Sequence, residues 1–196
     1  MDKPHRVPAA PDGARRTALL QLAALCGLAG LGLDDVFAAP ARPAEDAPPD
    51  LLTPAELRLT GVLADLIIPR TDTPGALDSG VHRTVDHMLA HCAPAPAQAA
   101  FRAGLARIDA VATAQDGKDF GRLPAARQTA LLHALDAGSA PFTAGDQAAF
   151  RQLKGYVAFA YYTSEAGATR ELAYLPVPGG FVGDIKVTSA TRTWAL

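Results

Sequence analysis

Two cysteines, two methionines and one tryptophan in 196 residues already exclude several kinds of protein. So few thiols cannot make a disulfide-stapled mini-fold or a four-cysteine cluster held by this chain alone. No Cys-x-x-Cys-His is present to attach a c-type haem. No Gly-x-Gly-x-x-Gly follows a strand, and neither a phosphate-binding loop nor a Gly-x-Ser-x-Gly elbow occurs, so the sequence names no catalytic and no cofactor-binding residue. Basic charge is not in excess: 18 Lys and Arg face 20 Asp and Glu, a net charge of −2. A nucleic-acid binder needs a basic face to displace phosphate counterions, so none is expected as partner. Sustained period-2 alternation is missing as well, which argues against a sheet.

What is abundant is alanine, 42 residues of it. Alanine on that scale favours closely packed helices.

The first 41 residues read as an address. Lys3, Arg6, Arg15 and Arg16 precede Ala18–Leu33, sixteen residues without formal charge that contain Gly27, Gly30 and Gly32. That run is shorter than the roughly 20 apolar residues a bilayer core requires. Asp34-Asp35 close it, and the small residues Ala38-Ala39-Pro40-Ala41 suit a signal peptidase, which completes the three-part plan of an export signal. Arg15-Arg16 before Thr17-Ala18-Leu19-Leu20 resembles a twin-arginine signal, with Ala14 and Ala18 departing from its usual pattern. An uncleaved membrane anchor and a buried core helix are the competing readings. Residues 42–50, rich in Pro, Ala and acid, are expected to be a linker.

From residue 51 onward helical signals recur. Thr53-Pro54-Ala55-Glu56 is a capping box, followed by a stripe of Leu59, Val62, Leu63, Leu66 and Ile67 that Pro69 ends. Arg70–Gly80 carries two turn signals. Val81, Val85, Met88, Leu89 and Cys92 share a second stripe, and a third helix is expected over about 97–114. Pro124 starts a fourth, and Thr143-Ala144-Gly145-Asp146 opens a long fifth through Phe150, Leu153, Val157, Ala160 and Tyr161. The periodicity then fades. The expectation over 51–196 is an all-α, compact bundle of about five helices with an extended, irregular C-terminal tail.

Two constellations carry chemistry. His87 and His91 are i and i+4 on one helix face and could share a metal; the plainer reading is a solvated histidine pair beside a buried Cys92. Cys92 bonded to a partner subunit is the minority alternative. Asp86 is near in sequence but fixes no third ligand, and the acids Asp78, Asp86, Asp109 and Asp136 are too scattered to pair. The second constellation is aromatic: Tyr156, Tyr161 and Tyr162 crowd the end of the longest helix, and Tyr174 opens the tail. An apolar ring with a polar tip suits a core edge and an interface equally.

The run Tyr161-Tyr162-Thr163-Ser164-Glu165-x-Gly167-Ala168-Thr169, then Leu172-x-Tyr174-x-x-Val177-Pro178-Gly179, resembles the gluconate 2-dehydrogenase subunit 3 family. So does Leu66-Ile67-Ile68-Pro69-Arg70-Thr71-Asp72-Thr73-Pro74-Gly75-Ala76; Leu175 departs, standing where the family often has an acid. The resemblance implies a small, non-catalytic subunit of periplasmic sugar or polyol dehydrogenases. Its partner would be a large flavoprotein of the glucose–methanol–choline class, which holds FAD and lacks an export signal. A multihaem cytochrome c subunit often takes the electrons onward, and the complex is membrane-associated. The small subunit would bind, stabilise and escort the flavoprotein through the twin-arginine translocase to the periplasm, with no cofactor in this chain. On that reading Tyr161, Tyr162, Glu165, Tyr174, Pro178 and Phe181 are the partner contacts, some tyrosines alternatively locking the tail onto the chain's own helices. The rival from another class is a free-standing exported metal-binding protein or enzyme using His87 and His91.

Overall fold

A computed structural model of the chain describes residues 47–175, 179–180, 184 and 186–194. The export signal with Arg15 and Arg16, and the tail residues Pro178 and Phe181, lie outside the described residues. Those described form five α-helices and two short turns: α1 (Pro54–Ile67), α2 (Val81–Cys92), α3 (Ala95–Asp116), a 3-10 turn (Phe120–Arg122), α4 (Ala125–Ala137), α5 (Ala144–Tyr162) and a π turn (Gly167–Glu171). The all-α bundle expected from the sequence is what forms. Among the described residues no helix is long and apolar enough to cross a membrane.

The helix starts follow local chemistry. The Thr53 hydroxyl accepts from the Glu56 N–H at 3.2 Å, while the Glu56 carboxylate accepts from the Thr53 N–H at 2.7 Å. Two orphan donors are thereby satisfied at once. Glu56 also accepts from Arg102 Nε on α3 at 2.9 Å. Burial pushes the Glu56 carboxyl up, but the bonds from Arg102 and Thr53 outweigh it and hold the group below its ordinary value. Thr143 and Asp146 repeat the reciprocal cap at the start of α5.

α5 is the hub, packing against each of the other four helices. Its buried side is Phe150, Leu153, Val157, Ala160 and Tyr161, set against Leu63 of α1, Val85 and Leu89 of α2, Leu105 of α3 and Leu135 of α4 within one core. Each such aliphatic side chain contributes about 1.5–3 kcal/mol when fully buried.

α1 departs from the narrow stripe read in the sequence. Leu57, Leu59, Thr60, Gly61, Leu63 and Ala64 are its buried residues, whereas Val62, Leu66 and Ile67 are half-buried. The reason is that α1 touches α2, α3 and α5 together, so a wide arc of its surface is covered. Thr60 tolerates complete burial because its hydroxyl donates to the Glu56 carbonyl at 2.8 Å. On α2, His82 is half-buried with Nδ1 enclosed and unpartnered among the described residues. Burial, aided by the charge of Arg83, pushes its imidazole down from the ordinary value.

One expectation needs correction, and two segments gain contacts. Cys92 is exposed, not buried, because it is the last residue of α2, where the chain leaves for α3 and the buried stripe has ended at Leu89. Residues 47–50, expected within a linker, are fastened to α2: Arg83 donates to the Ala47 carbonyl at 2.8 Å and Asp50 N–H donates to Asp86 at 2.7 Å. The irregular tail is tied down near its end. Ala173 N–H donates to the Thr193 carbonyl at 2.8 Å, Trp194 pairs with Ala173, and Arg192 donates to the Arg170 carbonyl at 2.8 Å.

Candidate functional site

The segment after α1 is built around a tight backbone crossing. A Cβ on Gly75 would lie 2.6 Å from the Arg70 nitrogen and 2.9 Å from the Pro69 carbonyl carbon, so only glycine fits. Ala76 N–H then donates back to the Ile68 carbonyl at 2.9 Å. Asp78 closes the loop, accepting from Gly75 N–H at 2.9 Å and pairing with Arg70. The Arg70 guanidinium, together with the Gly75 N–H, holds the Asp78 carboxyl below its ordinary value.

This loop meets the end of α5. The Tyr161 hydroxyl donates to the Pro74 carbonyl at 2.7 Å, and the Thr73 hydroxyl donates to Glu171 at 2.6 Å. These contacts span 87 and 98 residues of sequence. The two segments that carry the family resemblance therefore interlock. Below Tyr161 the chain turns sharply: Ser164 Oγ donates to the Tyr161 carbonyl at 2.6 Å and accepts from Gly167 N–H at 3.1 Å. A Cβ on Gly167 would sit 2.1 Å from the Tyr161 carbonyl oxygen, an impossible approach to backbone that no rotamer relieves. Gly75, Ser164 and Gly167 are thus architectural.

Tyr161 corrects the sequence reading. It is 1% exposed, its phenol pushed up by burial, and it belongs to the core rather than to a partner-facing surface. Adjacent side chains on a helix point about 100° apart, so Tyr161 can be inside while Tyr162 is outside. Tyr162 is 43% exposed, with its ring edge-on to Tyr161 at 5.3 Å between centroids. Tyr174 and Leu175, just past the π turn, are also exposed. Glu165 is exposed as well.

Phe159 is the residue sequence reasoning missed. It is 59% exposed, the largest value for any aromatic of α5. Gly155, Phe159 and Tyr162 follow the i, i+4, i+7 spacing and lie on the side of α5 opposite Leu153 and Val157. A Cβ at Gly155 would meet nothing within 4 Å, so the surface beside Phe159 is open. The signal was present: on a wheel drawn through the core positions, Phe159 falls about 150° from their centre. An aromatic stripe opposite the core, next to a residue with no side chain, is a surface suited to being covered.

His87 and His91 are exposed on α2, with ring centroids 4.4 Å apart, and the third group beside them is Asp50. His87 Nδ1 lies 2.7 Å and His91 Nε2 3.6 Å from Asp50 Oδ2. Asp86 is engaged elsewhere, its carboxylate accepting the N–H groups of Asp50, Leu51 and Leu52 at 2.7, 3.2 and 2.8 Å. Asp109 accepts from Phe120 N–H at 2.9 Å, and Asp136 pairs with Lys154. The scattered acids are each tied to a local partner, and no two of these four are bonded to each other in the contacts described.

Neither a curated protein nor a solved structure matches the chain. The family model described as gluconate 2-dehydrogenase subunit 3 matches residues 54–179, which takes in all five helices and both interlocked segments. The chain belongs to the gluconate 2-dehydrogenase subunit 3 family.

Proposed function

We propose that this chain is a non-catalytic accessory subunit that binds, stabilises and escorts to the periplasm the flavoprotein subunit of a sugar or polyol dehydrogenase. The observation that carries the reading is the aromatic stripe of Phe159 and Tyr162, turned away from the core on the best-anchored helix of the fold. Aromatic side chains lose little conformational entropy on being covered, and at interface centres each contributes about 2 kcal/mol or more. Tyr174 and Leu175 extend the apolar surface available beyond the π turn. A stable interface covers about 800 Å² on each partner, more than one helix face supplies, so part of the C-terminal tail joins it.

The cofactor in this arrangement is FAD, held by the partner of the glucose–methanol–choline class. A multihaem cytochrome c is the third component that would carry electrons onward. The Arg15-Arg16 signal serves both proteins, because the twin-arginine route moves a folded pair. Replacing Arg15-Arg16 by Lys-Lys in the native host should strand both this chain and its flavoprotein in the cytoplasm. A flavoprotein that still reaches the periplasm in that strain would overturn the escort role.

A further inference from the structure

We propose that Asp50, His87 and His91 form a surface site for a divalent transition-metal ion of the zinc class, which clips the segment leading into the bundle onto α2. This does not depend on the partner reading.

The donor set is of the right kind. Two imidazole nitrogens and one carboxylate oxygen suit zinc, nickel, cobalt or copper, whereas calcium and magnesium want oxygen ligands in larger number. The geometry is close. One ligand atom from each of the three residues lies within 4.8 Å of the others, and Asp50 Oδ2 stands 2.7 Å from His87 Nδ1 and 3.6 Å from His91 Nε2. Ligands on a tetrahedral zinc with bonds of about 2.0–2.1 Å are about 3.3 Å apart, so small side-chain rotations bring all three onto one ion. The i, i+4 spacing on α2 gives both histidines the same face, as their 4.4 Å ring separation shows.

The third ligand is held in place by the fold. Asp50 and Asp86 have different tasks: the 3% exposed Asp86 gathers the N–H groups of Asp50, Leu51 and Leu52, and this fixes where the Asp50 side chain leaves the backbone. Arg83, donating to the Ala47 carbonyl, holds the strand of chain just before it. A carboxylate thus reaches two histidines 37 and 41 positions away along the chain through buried architecture rather than by a free side chain finding them. The three side chains are 40–59% exposed, which leaves the remaining coordination positions open to water or to a ligand atom from another molecule.

Bound metal would close the chain between residue 50 and α2, stabilising the folded state by mass action. The test uses the full chain purified without a histidine tag, titrated with cobalt(II) and read by its visible absorption, and with zinc(II) by calorimetry. One equivalent of metal is expected. Asp50→Asn should weaken binding at least about tenfold, and His87→Gln or His91→Gln should abolish it. His133→Gln, on another helix, should leave it unchanged. At metal about a hundredfold above Kd the Tm should rise by roughly 5–10 °C. Circular dichroism of each variant confirms that the helices are retained. No binding up to millimolar metal, or binding that Asp50→Asn leaves at the wild-type level, would overturn the proposal.

Discussion

Replacing Tyr161 by phenylalanine removes one oxygen from the point where the two interlocked segments meet. The ring stays in the core, 1% exposed, so no cavity opens; what is lost is the 2.7 Å hydrogen bond to the Pro74 carbonyl. A typical hydrogen bond of this kind contributes about 1 kcal/mol net, and the half-buried Pro74 carbonyl recovers part of its hydration, which places the loss at about 1–1.5 kcal/mol. For a domain of this size that lowers Tm by about 2–6 °C. Tyr161→Ala adds a cavity and costs about 3–5 kcal/mol, or roughly 6–20 °C. A second readout is local. The Tyr161 hydroxyl fastens the loop that begins at the exposed Arg70, so the phenylalanine variant should be cut faster by trypsin after Arg70 while the helices stay resistant. Thermal melts by circular dichroism and timed proteolysis measure both. A Tm within about 1 °C of wild type, with unchanged cleavage, would refute the assignment of Tyr161 to the core rather than to a partner surface.

Two other outcomes follow from the same structure. Asp86→Ala strands three N–H donors, of which that of Leu52 is fully buried, and should cost about 3–5 kcal/mol in chemical denaturation; a loss below about 1 kcal/mol would contradict the anchoring role given to this carboxylate. His82 is held below its ordinary value by burial, so the unfolded chain binds the proton more readily than the folded one. The stability from its neutral form is fully present above pH about 6.5 and is lost as pH falls through the unfolded value toward the folded one. His82→Gln should therefore flatten the stability profile between pH 7.5 and 5, and an unchanged slope would count against it. The carboxylates Glu56, Asp78 and Asp146, all held low, contribute at lower pH, where their protonation removes the bonds from Arg102, Arg70 and Thr143.

Much of the fold was legible because its signals are local. Thr53-Pro54-Ala55-Glu56 and Thr143-Ala144-Gly145-Asp146 both cap helices as their side-chain chemistry requires. Pro69, Pro94 and Pro124 fall outside the helices whose limits they helped to mark. Periodicity served α5 well because one narrow side of it holds its buried residues. It served α1 less well, since three neighbours bury a wide arc that includes Thr60 and Gly61. It failed for Cys92, which continues the stripe of α2 but has no neighbour to cover it at the helix end.

The site was harder to read because it depends on direction and on distant contacts. A cluster of tyrosines says nothing about which ring points inward until the helix is oriented, and that is why Tyr161 and Phe159 exchange places. The pairing of Thr73 with Glu171, and of Asp50 with His87, joins residues 98 and 37 positions apart. No spacing rule reaches that far. The family segments, read as motifs, gave the right family; their geometry shows that Gly75, Ser164 and Gly167 serve the fold, while the exposed Phe159 and Tyr162 remain available to a partner.

The central claim is that this aromatic face binds a flavoprotein. The direct measurement is co-expression of the chain with the proposed flavoprotein subunit, followed by purification and determination of flavin bound per chain. Wild type should bring down about one flavin per chain, and Phe159→Asp combined with Tyr162→Asp, which remove about 4 kcal/mol or more of contact, should lose the flavoprotein while melting within a few degrees of wild type. Full flavin recovery with the double variant, or no flavoprotein with the wild-type chain, would contradict the account.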